Sequence, residues 1–123
     1  MKTVAIIGMG NRGRLYAEYG VNEPSKMKVV QLVDTNRTAL EWASNYYKVP
    51  IEDCYNSVEE FLKAPKKADA VINCSMDQYH YKTTLPLFKL GYDVLLEKPI
   101  SPKLNELNKL RDESKKYNRK FMV

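Results

Sequence analysis

The segment VAIIGMGNRGRLYAEYG, residues 4–20, constrains the fold more than any other part of the chain. Four apolar residues of strand length run straight into three glycines within six positions, and a helix-forming stretch follows at once. Gly8, Gly10 and Gly13 stand in the spacing G-x-G-x-x-G, and each glycine answers a different steric demand. Gly8 allows a tight turn, Gly10 lets backbone come close to a pyrophosphate, and Gly13 lets helix and strand pack closely. The helix that follows, expected over about 12–21, offers unpaired N–H groups and the positive end of its dipole to phosphate. Met9, Asn11 and Arg12 complete this loop. Arg12 suits either a phosphate contact or a solvated surface position.

The rest of the chain repeats the theme of a strand followed by a helix. "KVVQLVD", "ADAVINCS" and "YDVLLEK" read as strands, and "KFMV" opens another. Leu40, Ala43 and Tyr47 line one face of a helix between Asn36 and Tyr47, with Trp42 expected at the edge of the core. Ser57 and Glu60 form a capping box for a short helix. "QYHYKTTLPLFKLG" is a helix closed by Gly91, in which Pro86 should introduce a kink or a break. Ser101 and Pro102 suit the N-cap and first turn of a last helix. This alternation predicts an α/β fold, a doubly wound parallel sheet of Rossmann type covered on both faces. With 123 residues, 44% of them hydrophobic, the chain is sized for one domain.

The formal charge of +5 is concentrated after Pro99. Leu104, Leu107, Leu110 and Tyr117 recur there at helical spacing, which assigns the lysines to the solvated face of an amphipathic helix. No aromatic residues interleave them as a stacking surface would require, so nucleic acid is not expected as a partner. No apolar run reaches the roughly 20 residues of a membrane span, and the chain reads as cytoplasmic and free of membrane. Cys54 and Cys74 lie far apart in sequence and read as buried free thiols, and with His80 the sole histidine no metal site is expected.

A lone glycine pattern is weak, but Asp34 adds to it. It ends the second strand at the distance where an acid reaches the ribose hydroxyls of an adenosine, although a helix N-cap is the competing role. Thr35 and Arg37 border the same position. An acid there repels a 2′-phosphate and favours NAD, while Arg37 keeps NADP possible.

The segment INCSMDQYHYKTTLPLFKLGYDVLLEKPIS, together with the glycine loop, resembles the N-terminal domain of the Gfo/Idh/MocA oxidoreductases, with Glu97, Lys98 and Pro99 as the most specific element. The resemblance runs over nearly the whole chain. It implies the cofactor-binding domain of an NAD(P)-dependent enzyme that moves hydride between a nicotinamide dinucleotide and a CH–OH group of a sugar, cyclitol or related polyol. It also implies that Lys98 is catalytic and near the nicotinamide, and that Glu97 sits beside the nicotinamide ribose. Ser75, Met76 and His80 match the loop bordering the cofactor, although Ser75-Met76 stands where the family usually has Thr-Pro or Ser-Pro. In the family a second α/β domain follows, carrying substrate groups and an acid/base pair and often forming a homo-oligomer. Such a domain is absent from this sequence, so a truncated chain without dehydrogenase activity of its own is expected. A dinucleotide-sensing module without catalysis is the alternative, against which the Lys98 match argues.

Overall fold

A computed structural model describes residues 2–75, 79–97 and 103–123. Six strands form one sheet in the order β3-β2-β1-β4-β5-β6, every pairing parallel. They are β1 (Lys2–Ile7), β2 (Met27–Val33), β3 (Cys54–Tyr55), β4 (Ala70–Asn73), β5 (Asp93–Leu96) and β6 (Phe121–Met122). Between them run α1 (Asn11–Asn22), α2 (Arg37–Tyr47), α3 (Val58–Lys63), α4 (His80–Lys89) and α5 (Leu104–Lys116), with a 3-10 turn at Ile51–Asp53.

Strand residues alternate between two cores, as a sheet covered on both faces requires. On one face Val4, Ile6, Val29 and Ile72 pack with Met9 and Ala17 of the first loop and helix and with Leu40 and Ala43 of α2. On the other, Ala5, Ile7, Val71, Val94 and Leu96 pack with Phe61 of α3, Leu87 and Phe88 of α4 and Leu110 of α5. A bulge in the β1–β2 pairing, where the register shifts between Val4 and Ala5, changes the phase of the alternation along β2, so that Val29 and Leu32, three residues apart, face the same core.

The strand order reverses at β1. From β1 the chain winds outward through β2 to β3, then returns to place β4 on the other side of β1 and winds outward again. The loops leaving β1 and β4 at their carboxyl ends therefore diverge to opposite faces, which opens a crevice at the switch point.

The expected α/β doubly wound sheet is therefore present, with local differences. β3 has only two residues, too few for an alternation signal, and it is absent from the sequence reading. Pro86 does not break α4, which is continuous over His80–Lys89. The ring removes a hydrogen bond to the carbonyl of Lys82, an exposed residue where water can replace the lost donor. The capping box is half formed: Ser57 Oγ accepts from the Glu60 N–H, but the Glu60 carboxylate turns to the N–H of Asn56 rather than Ser57. Trp42 lies further out than expected, 43% exposed, stacked on Tyr46 with the Arg14 guanidinium over its ring. Leu104, expected on the apolar face of α5, is 72% exposed, and Leu110 makes the core contact instead. Ser101 and Pro102 lie outside the described residues, as do Met76, Lys98 and Pro99.

Candidate cofactor site

The glycine loop is shaped by contacts that leave no room for side chains at two positions. Gly8 takes φ 91°, a left-handed conformation that L side chains rarely adopt, and a Cβ there would lie 2.6 Å from the Cys74 carbonyl oxygen. A Cβ on Gly13 would come within 1.9 Å of the Gly8 carbonyl oxygen, so helix α1 packs on the turn only because that atom is missing. Gly10 differs from both, since a Cβ there meets nothing within 4 Å. No packing among the described residues explains a glycine at that position, and the open space leaves the backbone accessible to a ligand as large as a pyrophosphate. Gly10 also caps α1 without any side-chain hydrogen bond, which leaves the first N–H groups of the helix to an incoming acceptor. Asn11 and Arg12 are exposed beside it.

Asp34 follows directly on β2, and its carboxylate binds the turn that carries the glycines. One oxygen accepts from the Met9 N–H at 2.7 Å and the other from the Asn36 N–H at 2.8 Å. The N-cap role that competed for Asp34 belongs to Asn36, whose Oδ1 accepts from the Ala39 N–H. Asp34 is thus free of capping and tied to the glycine turn. Each carboxylate oxygen has a second lone pair with which to accept from a ribose hydroxyl. Thr35 is exposed at the rim. Arg37 turns to its neighbours: its Nε lies 3.3 Å from Glu41 Oε1, and its Nη1 donates to Asn56 Oδ1 at 2.9 Å.

Across the switch point, side chains rather than missing side chains set the geometry. Asn73, fully buried at the end of β4, donates from Nδ2 to the hydroxyls of Thr83 and Thr84, both at 2.9 Å. Its Oδ1 accepts from the Ser75 N–H at 3.1 Å and from the Ser75 hydroxyl at 2.8 Å. His80, 1% exposed at the start of α4, has Nε2 at 2.6 Å from the Ser75 carbonyl oxygen. The contact ties the buried imidazole to the backbone of the β4–α4 loop.

Glu97 follows directly on β5 and reaches back over the crevice to α1. Its Oε1 lies 3.3 Å from Arg12 Nε, and its Oε2 accepts from the Tyr16 hydroxyl at 2.7 Å. Arg12 and Tyr16 stand four residues apart and so share one helix face. The hydrogen bond to Glu97, reinforced by burial, pushes the Tyr16 phenol up to about 12. Burial and the charge of Glu97 likewise push the neighbouring Cys74 thiol up to about 12. Both groups hold their protons at neutral pH.

The structure thus brings Gly8, Met9, Gly10, Asn11, Arg12, Gly13, Asp34, Ser75 and Glu97 around the carboxyl ends of β1, β2, β4 and β5. Arg37 and His80 support the rim and floor, and Met76 and Lys98 are outside the described residues. Tyr16, Asn73, Thr83 and Thr84 are missed by the sequence reading. The i, i+4 relation of Tyr16 to Arg12 was the one available signal; the other three are ordinary polar residues whose partnership depends on the fold. Among the described residues no group of three or more His, Cys, Asp or Glu side chains could hold a metal ion, and no helix is long and apolar enough to cross a membrane.

Comparison with known proteins agrees with this fold. Myo-inositol 2-dehydrogenase of Thermotoga maritima is 25% identical over 126 aligned positions, which span 96% of this chain and 36% of that protein. Among solved structures, myo-inositol 2-dehydrogenase from Lactobacillus plantarum superposes with a TM-score of 0.86 at 27% identity, over 98% of this chain and 35% of that one. Scyllo-inositol dehydrogenase from Lactobacillus casei, with bound NAD(H) and scyllo-inositol, shares the fold at a TM-score of 0.84 and 21% identity, over 99% and 35% of the two chains. The chain spans about a third of the length of these relatives. The family model for the GFO_IDH_MocA oxidoreductases, described as an oxidoreductase family with an NAD-binding Rossmann fold, matches residues 2–123, and the chain belongs to that family.

Proposed function

We propose that this chain is the dinucleotide-binding part of an NAD-dependent oxidoreductase acting on a CH–OH group of a cyclitol, sugar or related polyol. The observation that carries the reading is Gly10, where the only glycine of the loop without a steric reason faces open space at an uncapped helix N-terminus. The pyrophosphate fits over residues 10–13, with Arg12 available as a cation beside it. Adenine ribose hydroxyls donate to Asp34, and the nicotinamide half extends across the switch point toward Ser75 and Glu97. When bound, the nicotinamide supplies the hydride acceptor or donor. The chain's own share is to hold that group at the strand ends and to fix the residues around it.

Lys98, next to Glu97 in sequence, is our candidate for the group that holds the reacting hydroxyl oxygen. An ammonium there would stabilise alkoxide-like charge as the C–H bond breaks. NAD(H) is favoured over NADP(H), because Asp34 accepts the ribose hydroxyls and repels a 2′-phosphate while Arg37 is engaged by Glu41 and Asn56. Myo-inositol dehydrogenases among the relatives support the substrate class. Titration calorimetry with NADH tests the reading. Gly10→Val should cut affinity at least about tenfold, since the branched side chain fills the approach to the backbone. Unchanged affinity would remove the pyrophosphate from this loop.

A further inference from the structure

We infer that Tyr16 is a positioning residue of the nicotinamide end of the site, acting by orienting the Glu97 carboxylate. The inference rests on the dinucleotide reading above and adds to it a residue outside the glycine loop.

Glu97 is the last described residue of its strand end, and nothing in the strand itself fixes its side chain. Two groups of α1 do so from across the crevice. The Tyr16 hydroxyl donates to Oε2 at 2.7 Å, and Arg12 Nε approaches Oε1 at 3.3 Å. The two are not equivalent. Arg12 has a side chain 63% exposed and stands on the first turn of α1, where a pyrophosphate would compete for its guanidinium. Tyr16 stands one turn deeper, half-buried, with its ring packed against the core that contains Met9 and Ala17. A rigid phenol anchored in the core has few rotamers to lose, so its hydroxyl is a fixed point.

Filling one lone pair on Oε2 leaves the carboxylate able to accept further hydrogen bonds. Tyr16 therefore aims Glu97 without using it up. When Arg12 turns to phosphate, the Tyr16 bond keeps Glu97 in place, and the oxygen released by Arg12 can accept from a ribose hydroxyl. The phenol stays protonated throughout the neutral range and so remains a donor.

The test measures binding of NADH and of ADP, which lacks the nicotinamide ribose, to the wild-type chain, Tyr16→Phe, Glu97→Gln and the double variant. Tyr16→Phe should weaken NADH about fivefold, the size expected for one hydrogen bond to a charged group acting indirectly, and leave ADP within about twofold. The double variant should bind NADH no worse than Glu97→Gln alone, because Tyr16 has no other route to the ligand. Wild-type affinity of Tyr16→Phe for NADH would overturn the inference. So would equal losses for NADH and ADP, which would mark a general structural role, or additive losses in the double variant. A wild-type chain that binds neither ligand would refute the site itself, a failure distinct from these.

Discussion

On the β1–β2 side of the crevice, residues 8–13 are positioned chiefly by backbone meeting backbone, with the Gly8 carbonyl under Gly13 and the Cys74 carbonyl under Gly8, and the Asp34 carboxylate ties the turn through the Met9 N–H. On the β4–β5 side the same job falls to side-chain hydrogen bonds: Asn73 to Ser75, Thr83 and Thr84, and Tyr16 to Glu97. The first construction tolerates no added atom at Gly8 or Gly13. The second tolerates no lost polar group. The two halves should therefore fail under opposite substitutions, small to large on one side and polar to apolar on the other.

The largest effect is expected at Gly13. A methyl group 1.9 Å from the Gly8 carbonyl oxygen forces α1 off the turn, and Gly13→Ala should destabilise the chain by at least about 3 kcal/mol. Gly10→Ala is the control within the same loop. With nothing within 4 Å, it should change stability by less than about 0.5 kcal/mol. Urea denaturation of both variants checks the contrast, and similar midpoints would mean that the loop is not held by close backbone packing.

Asn73→Ala is the matching break on the other side. It removes the buried amide that the Ser75 N–H and the Thr83 and Thr84 hydroxyls share, although Thr83 keeps its bond to the Tyr79 carbonyl, and should cost about 2 kcal/mol. A neutral result would show that the β4–α4 loop is held by something else.

How much of this was legible beforehand follows the same division. Gly8 and Gly13 could be read from spacing because sterics at a strand-to-helix turn admit one residue type, Gly10 and Asp34 because they stand at the offsets expected of a dinucleotide-binding turn, and periodicity carried most strands and helices. Asn73, Thr83, Thr84 and Tyr16 could not, since Asn, Thr and Tyr serve many purposes and only the folded sheet brings β4 against α4 and β5 against α1. The β4–β5 side was recognised through its likeness to a family, not through its physics. Cys54 and Tyr55 show the other limit, a strand too short to have a period.

A smaller effect concerns protons. Tyr16 folds with a pKa near 12 against an ordinary 10.0, so the folded chain binds this proton more tightly than the unfolded one. The resulting stability is fully present below pH 10 and is lost as pH rises through 12. Tyrosinate absorbance of the wild-type chain should therefore contain a late component near pH 12 that is missing in Tyr16→Phe. Identical titration curves would place the Glu97 hydrogen bond elsewhere. The smallest effect is expected from the solvent-facing Arg37–Glu41 pair, where Glu41→Ala should shift stability by less than about 0.5 kcal/mol in a thermal melt.

The central claim is that one dinucleotide spans both constructions, lying across the strand ends from Asp34 to Glu97. Amide chemical shifts of the isotopically labelled chain, followed during titration with NADH, test it most directly. The account predicts that the largest shifts fall on residues 8–13, on Asp34 and Thr35, and on Ser75 and Glu97, all saturating with one affinity. Shifts confined to the basic face of α5, or to the groove lined by Val21, Met27 and Tyr46 at the opposite strand ends, would contradict it.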